Sequence, residues 1–467
     1  MNTTIDLIVR GGMLVESEWQ GLADLFISDG VVAAVVAAGT PAPAGADAAK
    51  VIDATGLLVL PGGVDPHCHV GFTSGEYTSL DGYLECTTAA VFGGTTTIVD
   101  FAIPRDGEAP LDVARRQRAK AEQGVCDSAL HAAVVEWDPT VPQQLRTLSE
   151  EGIVTVKMFT TYRGESMAST DTILRTMQVL QDVGGMVVIH CEANAIIEED
   201  QRRSAEAGEL GAAHMAQTRS ELAEASAVAE ILAVAERLDA PIYFVHQSTP
   251  AVVDFVAAAR RRGVKAYTET VAHHLVLDDS NYLGEHPERF VCCPPLRSRE
   301  TVDALGRYLF NGEITTIGSD HCCYDSVQKT EHQHDVRHMP NGLPGVETRL
   351  PVIFSEYVSN KNLSVSQFVK LTASNPARAN GIYPRKGALL PGSDADFALW
   401  DPTAEWTVRS SDLHMKTDYT PYEGMKLVGR PVTMAVRGQV VVADGILRDG
   451  SSRGRHVPAG PVDLSIT

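Results

Sequence analysis

Apolar positions in this chain come in two textures. From residue 5 to 56, short runs (Leu7-Ile8-Val9, Met13-Leu14-Val15, Leu25-Phe26-Ile27, Val31 to Val36, Val51-Ile52-Asp53) are broken by Gly11-Gly12, Asp29-Gly30 and an Ala/Pro/Gly-rich stretch at 37–49. Runs this short between turn residues predict the strands of a small all-β unit. The texture returns at Ala395–Trp400, Trp406-Thr407-Val408, Pro431–Val436 and Gln439–Val442. The two ends are therefore expected to pair into one small β-sandwich subdomain, residues 1–56 with 388–450, around a large domain at 57–387. The Gly/Pro/Ser-bearing stretch 451–467 reads as a loosely held tail reaching toward a neighbouring subunit.

Between the ends, buried strands alternate with amphipathic helices. Strands are predicted at 57–60, 95–101, 129–136, 153–160, 186–191, 241–247, 264–270 and 314–319, and helices at 80–92, 111–122, 171–183, 220–238, 250–262 and 299–310. Val187-Val188-Ile189 and Ile242-Tyr243-Phe244-Val245 are apolar at successive positions, as strands covered on both faces must be. Eight βα units in series predict an α/β fold, a (β/α)8 TIM barrel. A doubly wound open sheet is the alternative, disfavoured because no glycine-rich phosphate loop follows the first strand.

Composition narrows the classes. At 467 residues the chain is long enough for one large domain and a smaller partner, and 44% hydrophobic with 21% charged residues is a globular balance. A net charge of −21 leaves no basic stripe for phosphates, so no nucleic-acid partner is expected. No apolar stretch is long enough to span a bilayer, and Met1–Asp6 lacks the basic-then-apolar pattern of a signal peptide. The eight scattered cysteines read as reduced thiols, which places the protein in the cytoplasm. The adjacent pairs Cys292-Cys293 and Cys322-Cys323 lack the spacing of a zinc site and read as small buried side chains.

The chemistry gathers at strand ends. Alternate strand residues point the same way, so His67 and His69 can share one metal ion. The fourth strand carries Lys157 within Val154–Phe159, the fifth ends at His190, the sixth reaches His246 and the eighth reaches Asp320. A barrel brings such ends together. Singly, each histidine is as well explained as a hydrogen-bonded core or rim residue, and Asp320 as a helix cap; jointly they read as a metal centre. Lys157 is open to two readings. An ammonium in an apolar strand either snorkels to solvent or loses its proton through burial, and the free amine then captures carbon dioxide as a carbamate able to bridge two cations.

These residues sit in longer motifs. They include Pro61–His69, Gly93–Phe101, Lys157–Tyr162, Pro294–Arg297, Gly318–His321, Pro340-Asn341-Gly342, Asn375–Arg378, Tyr383–Gly387 and Asp418–Met425. In them the chain resembles the cyclic amidohydrolases of the amidohydrolase superfamily, specifically the dihydropyrimidinase and hydantoinase branch. The resemblance implies two zinc ions per subunit, one held by His67 and His69 and the other by His190 and His246. Carboxylated Lys157 would bridge them, with Asp320 completing the first site. It also implies Tyr162 as the hydroxyl facing the substrate carbonyl, and backbone groups at Cys293 and Asn341 holding the ring's amide edge. Serine is usual in the family where Cys293 stands.

The implied reaction is opening of a cyclic amide or imide to an N-carbamoyl amino acid, with Asp320 as general base and then general acid and Tyr162 stabilising the oxyanion. The implied assembly is a homotetramer. Allantoinase and dihydroorotase are the neighbouring activities. Dihydroorotase is expected to place an arginine just after the second histidine, whereas Val70-Gly71-Phe72 stands here. A non-catalytic relative of the collapsin response mediator type is the alternative of another class; those have lost metal ligands, and this chain keeps all six.

Overall fold

The protein is described by a computed structural model covering residues 4–43, 46, 49–105, 107–448 and 453–466. Among the described residues, eight parallel strands pair in sequence order: β1 Gly63–Cys68, β2 Thr95–Ala102, β3 Asp127–Ala133, β4 Thr155–Phe159, β5 Met186–His190, β6 Ile242–Phe244, β7 Ala266–Val271 and β8 Thr316–Gly318. The last meets the first through one isolated bridge, Cys68 to His321, which makes a nearly closed barrel. Every residue of all eight strands is buried, because helices cover their outer faces. The helices Tyr83–Phe92, Pro110–Arg118, Thr170–Asp182, Glu221–Leu238, Pro250–Arg261 and Arg299–Asn311 fall where the apolar spacing predicts them. Val141–Glu150 and Asn194–Ala207 are helices that the pattern did not announce.

The terminal segments do pair. Their described residues form one nine-stranded sheet in which Phe397–Thr407 and Lys426–Val436, from the C-terminal half, continue a sheet begun by Leu7–Val15 and Gln20–Ser28. One expectation is corrected here. Leu58–Pro61 belongs to this sheet, pairing with Leu7–Val15 on one side and Phe397–Thr407 on the other, so the apolar run 57–60 is not the first barrel strand. The chain changes sheets at Gly62-Gly63. The Gly62 amide still donates to Asp396 O (2.8 Å), while Gly63 already donates to Gly94 O (2.9 Å). A Cβ on Gly62 would lie 2.0 Å from Thr96 Oγ1, so only glycine passes.

The tail is the second correction. Residues 453–466 are not loosely held but run across the N-terminal end of the barrel. Backbone bonds join Ser128 N to Arg455 O (2.9 Å), Ala459 N to Gly152 O (2.9 Å) and Val462 N to Gly184 O (2.9 Å). Val457 packs with Val64, Val99 and Ala129, and Val462 and Ile466 pack with Val154, Met186, Val188 and Tyr243. The barrel is thus floored by its own C-terminus, and its opposite end is left for chemistry. No helix among the described residues is long and apolar enough to cross a membrane.

Candidate active site

The floor leaves the C-terminal strand ends as the open face. His67 is the penultimate residue of β1 and His69 follows its last; Lys157 is the middle residue of β4 and His190 the last of β5. His246 and Asp320 lie two residues past β6 and β8, and Tyr162 three past β4. Their backbones are unusual: Tyr162 (φ 68°), His246 (φ 40°) and Asp320 (φ 49°) are all left-handed. A bulky side chain there is strained, and such strain concentrates where function needs one orientation.

The side chains converge. Ring centroids of His67 and His69 are 5.2 Å apart, those of His67 and His246 5.3 Å, of His190 and His246 4.5 Å, and of Tyr162 and His190 5.3 Å. His67 donates from Nδ1 to Glu269 Oε1 (2.7 Å), which leaves Nε2 as the atom facing the cluster. That Nε2 lies 3.0 Å from Asp320 Oδ1, and His69 Nε2 lies 3.4 Å from the same oxygen. His67 Nε2, His69 Nδ1 and His246 Nδ1 are all buried without a hydrogen-bond partner. Buried imidazole nitrogens left without a hydrogen-bond partner, beside a carboxylate that two of the rings approach, suit coordination to a cation.

The electrostatics agree. Burial would lower the His67 pKa, yet the charges of Asp320 and Glu269 outweigh it and raise it. Burial pushes His69 down to about 4, so its ring is neutral and able to ligate. Burial would raise Asp320, but His67 and His69 hold it well below the usual carboxylate range. The donor set His67, His69 and Asp320 therefore fits a divalent cation, its ligand atoms lying within 4.8 Å of one another.

Lys157 is wholly buried between aromatic rings, with Nζ 4.7 Å from the Phe101 centroid and 5.0 Å from that of Phe159. Burial pushes its pKa down to about 8, with Asp320 and Glu269 opposing from a distance. The structure thus disfavours the solvent-snorkelling alternative, since a chain 1% exposed reaches no water.

The supporting residues were not singled out from sequence. Glu269, in β7, accepts from His67 and also from the His246 amide (3.0 Å) and the Tyr243 hydroxyl (2.9 Å). Glu192 accepts from His190 Nε2 (2.6 Å), leaving Nδ1 to face the cluster, and is itself gripped by Arg219 (Nε to Oε1 3.0 Å). The Arg219 guanidinium lies 5.2 Å from the Tyr162 ring centroid. Carboxylates that orient ligand histidines are the usual companions of a metal site. A carboxylate within the predicted strand 264–270, Glu269, and an acid two residues after His190 are the signals the sequence offers.

Of the remaining predicted residues, Cys293 is buried, and burial pushes its thiol pKa up to about 11. Asn341 has a buried Oδ1 without a partner. Two further groupings of ligand-type side chains exist, His273/His274/Cys292 and Asp81/His321/Cys323. His321 is held by Asp81 (2.9 Å) and the Gly345 amide (3.2 Å), and Cys292 bonds Pro294 O (3.3 Å) with a thiol that burial pushes upward. Asp81 and the Gly345 amide thus tie His321 between two other segments, while His273 Nε2 and His274 Nδ1 are buried without a hydrogen-bond partner among the described residues.

Residues 58–441 match the sequence profile of the amidohydrolase family. The chain belongs to the amidohydrolase family. This amidohydrolase is 36% identical over 445 residues to the D-hydantoinase of Rhizobium radiobacter, covering 94% of this chain and 96% of that one. It is 33% identical over 461 residues to the dihydropyrimidinase of Rattus norvegicus, covering 97% and 89%. The crystal structure of dihydropyrimidinase from Brevibacillus agri superposes on it with a TM-score of 0.93 at 33% identity, covering 97% of this chain and 99% of that one.

Proposed function

We propose that this amidohydrolase opens the ring of a cyclic amide or imide, a dihydropyrimidine or 5-substituted hydantoin, to an N-carbamoyl amino acid. The observation that carries the proposal is the convergence of four histidines, Lys157 and Asp320 at one barrel end, in a chain whose relatives bear the names D-hydantoinase and dihydropyrimidinase.

His67, His69 and Asp320 would hold one zinc ion and His190 and His246 a second, with Lys157, carboxylated on Nζ, between them. When bound, such a pair supplies Lewis acidity and a hydroxide at neutral pH. Asp320 takes the proton from the attacking water and passes it to the ring nitrogen as the carbonyl carbon–nitrogen bond breaks, so the proton count closes without another acid. The Tyr162 hydroxyl, its proton held firmly by burial, donates to the carbonyl oxygen as negative charge builds there. Cys293 and Asn341 hold the amide edge.

Val70-Gly71-Phe72 after the second histidine suits an uncharged ring substituent, with Phe72 5.0 Å from His69 between ring centroids. This favours the proposal over a dihydroorotase. Retention of all six ligands favours an enzyme over a scaffold. We further infer a cytoplasmic homotetramer, which light scattering checks. The decisive test is metal analysis with a substrate panel of dihydrouracil, hydantoin, 5-phenylhydantoin, allantoin, dihydroorotate and succinimide. Zinc-loaded protein that opens none of these rings sinks the proposal.

A further inference from the structure

One buried cation outside the cluster has an arrangement that packing alone does not explain. Lys329 lies on the short helix Ser326–Glu331, in the same connection that carries Asp320 after β8. Its side chain is wholly buried. No carboxylate of the described residues pairs with it. Nζ instead donates to two carbonyls from distant segments, Val291 O (2.8 Å) and Pro340 O (2.8 Å), and lies 5.6 Å from the Tyr324 ring centroid. The Gly342 amide donates to the same Val291 oxygen (3.2 Å).

The two carbonyls are informative by their neighbours. Val291 is two residues before Cys293, and Pro340 immediately precedes Asn341. Burying an ammonium with no counter-ion is costly, and an apolar side chain would fill the space more cheaply. What an apolar side chain cannot do is bridge two backbone segments through one atom. The residue after Pro340, Asn341, has its Oδ1 buried and without a protein partner among the described residues.

We propose that Lys329 is a positioning residue for substrate: its ammonium sets the spacing of the 291–293 and 340–342 segments so that both reach the amide edge of the ring. The inference rests on the proposed cyclic-amide reading and adds to it what aligns the edge-binding backbone. Hydrogen bonds along the ring edge exist in the ground state and persist in the transition state, so loosening them weakens substrate binding and spares turnover.

The test compares metal-loaded enzyme with Lys329→Met, Lys329→Arg and, as a control, Tyr267→Phe, which removes a hydrogen bond to Leu464 O at the opposite, floored end of the barrel. Lys329→Met should raise KM by about tenfold or more while kcat stays within about threefold and metal content is unchanged. Lys329→Arg, which keeps the charge but lengthens the reach, should shift KM the same way by less. Tyr267→Phe should lower thermal stability and leave KM alone. A Lys329→Met enzyme of lowered stability and wild-type KM overturns the inference. Unmodified enzyme that opens no ring at all instead removes the reading on which it rests. If the Met and Arg variants do not fold, amide exchange of the unmodified enzyme decides. Saturating ring-opened product should slow exchange at 288–293 and 338–343 together, and slowing at one segment alone or at neither overturns the inference.

Discussion

Lys157 and Lys386 are both buried lysines of the same barrel, at opposite ends, and they live under opposite rules. Lys386, under the barrel, is ringed by Asp127 (2.6 Å), Asp396 (2.7 Å) and Asp394 (3.0 Å). Burial alone would lower its pKa, but the three carboxylates raise it, so it remains an ammonium. It joins β3 to the terminal sheet, with Arg437 bonded to the same Asp127. Lys157, at the open end, has rings on two sides and no paired carboxylate among the described residues, and burial pushes it down to about 8. A compensated buried charge is structure. One without a paired carboxylate holds its proton less tightly: Lys329 is answered by two backbone carbonyls, whereas Lys157, set among candidate ligands, is placed for covalent or ligand chemistry.

The largest effect should come from removing the uncompensated lysine. Lys157→Ala is expected to lose most of its metal and essentially all activity, and acetate or propionate, filling the vacated space, should partly restore both. Arginine there should not be rescued, since it stays cationic. An alanine variant with two zinc ions and normal turnover without added acid would falsify the bridging role.

Removing the compensated lysine should do the reverse. Lys386→Met leaves Asp396 without a cationic partner among the described residues and weakens the answer to Asp127 and Asp394, which keep Arg437 and Arg385, and should cost about 3–5 kcal/mol of stability. The fraction still folded should turn over at the wild-type rate. Urea midpoints with kcat per bound metal measure both, and a large fall in kcat at full metal occupancy would erase the distinction between the two ends.

Tyr162→Phe probes the open end more gently. Loss of one oxyanion donor should lower kcat by about 10²–10³ with KM less affected. Near-normal turnover would return Tyr162 to the status of a rim aromatic.

The smallest effect sharpens the rule with a carboxylate. Glu16 is buried with, among the described residues, only the Leu389 amide (2.6 Å) to answer it, and burial pushes its pKa from 4.5 up to about 7. The folded protein keeps this proton where the unfolded chain has lost it, so stability falls as pH rises from 4.5 to about 7. Glu16→Gln should therefore gain about 1–3 kcal/mol at pH 8 and little at pH 4. Equal urea midpoints for variant and wild type at pH 8 would show that Glu16 is answered by something more than one amide.

Much of the site was legible because strand alternation and strand ends are local properties. His67 and His69 could be paired from their spacing, and His190, His246 and Asp320 from where apolar runs stop. Lys157 stood out as a charge inside such a run. The partners were not legible in the same way. Glu269 meets His67 across 202 residues of chain, and Arg219 meets Glu192 across 27. Nothing within a few positions of any of them announces the contact.

The sequence by itself determined the periodicities, hence the alternation of strand and helix, the eight-unit barrel and the residues offered at its strand ends, since these depend on side chains a few positions apart. Only the tertiary structure decided which sheet Leu58–Pro61 would join, because an apolar run states that it is buried and not against what. It alone decided that the tail floors the barrel, a docking made by backbone bonds to Ser128, Gly152 and Gly184 that any sequence with the right shape could offer. It also decided which buried charges are answered and which are not. That depends on which atoms the fold sets within about 3 Å of one another, and chain spacing carries no record of it.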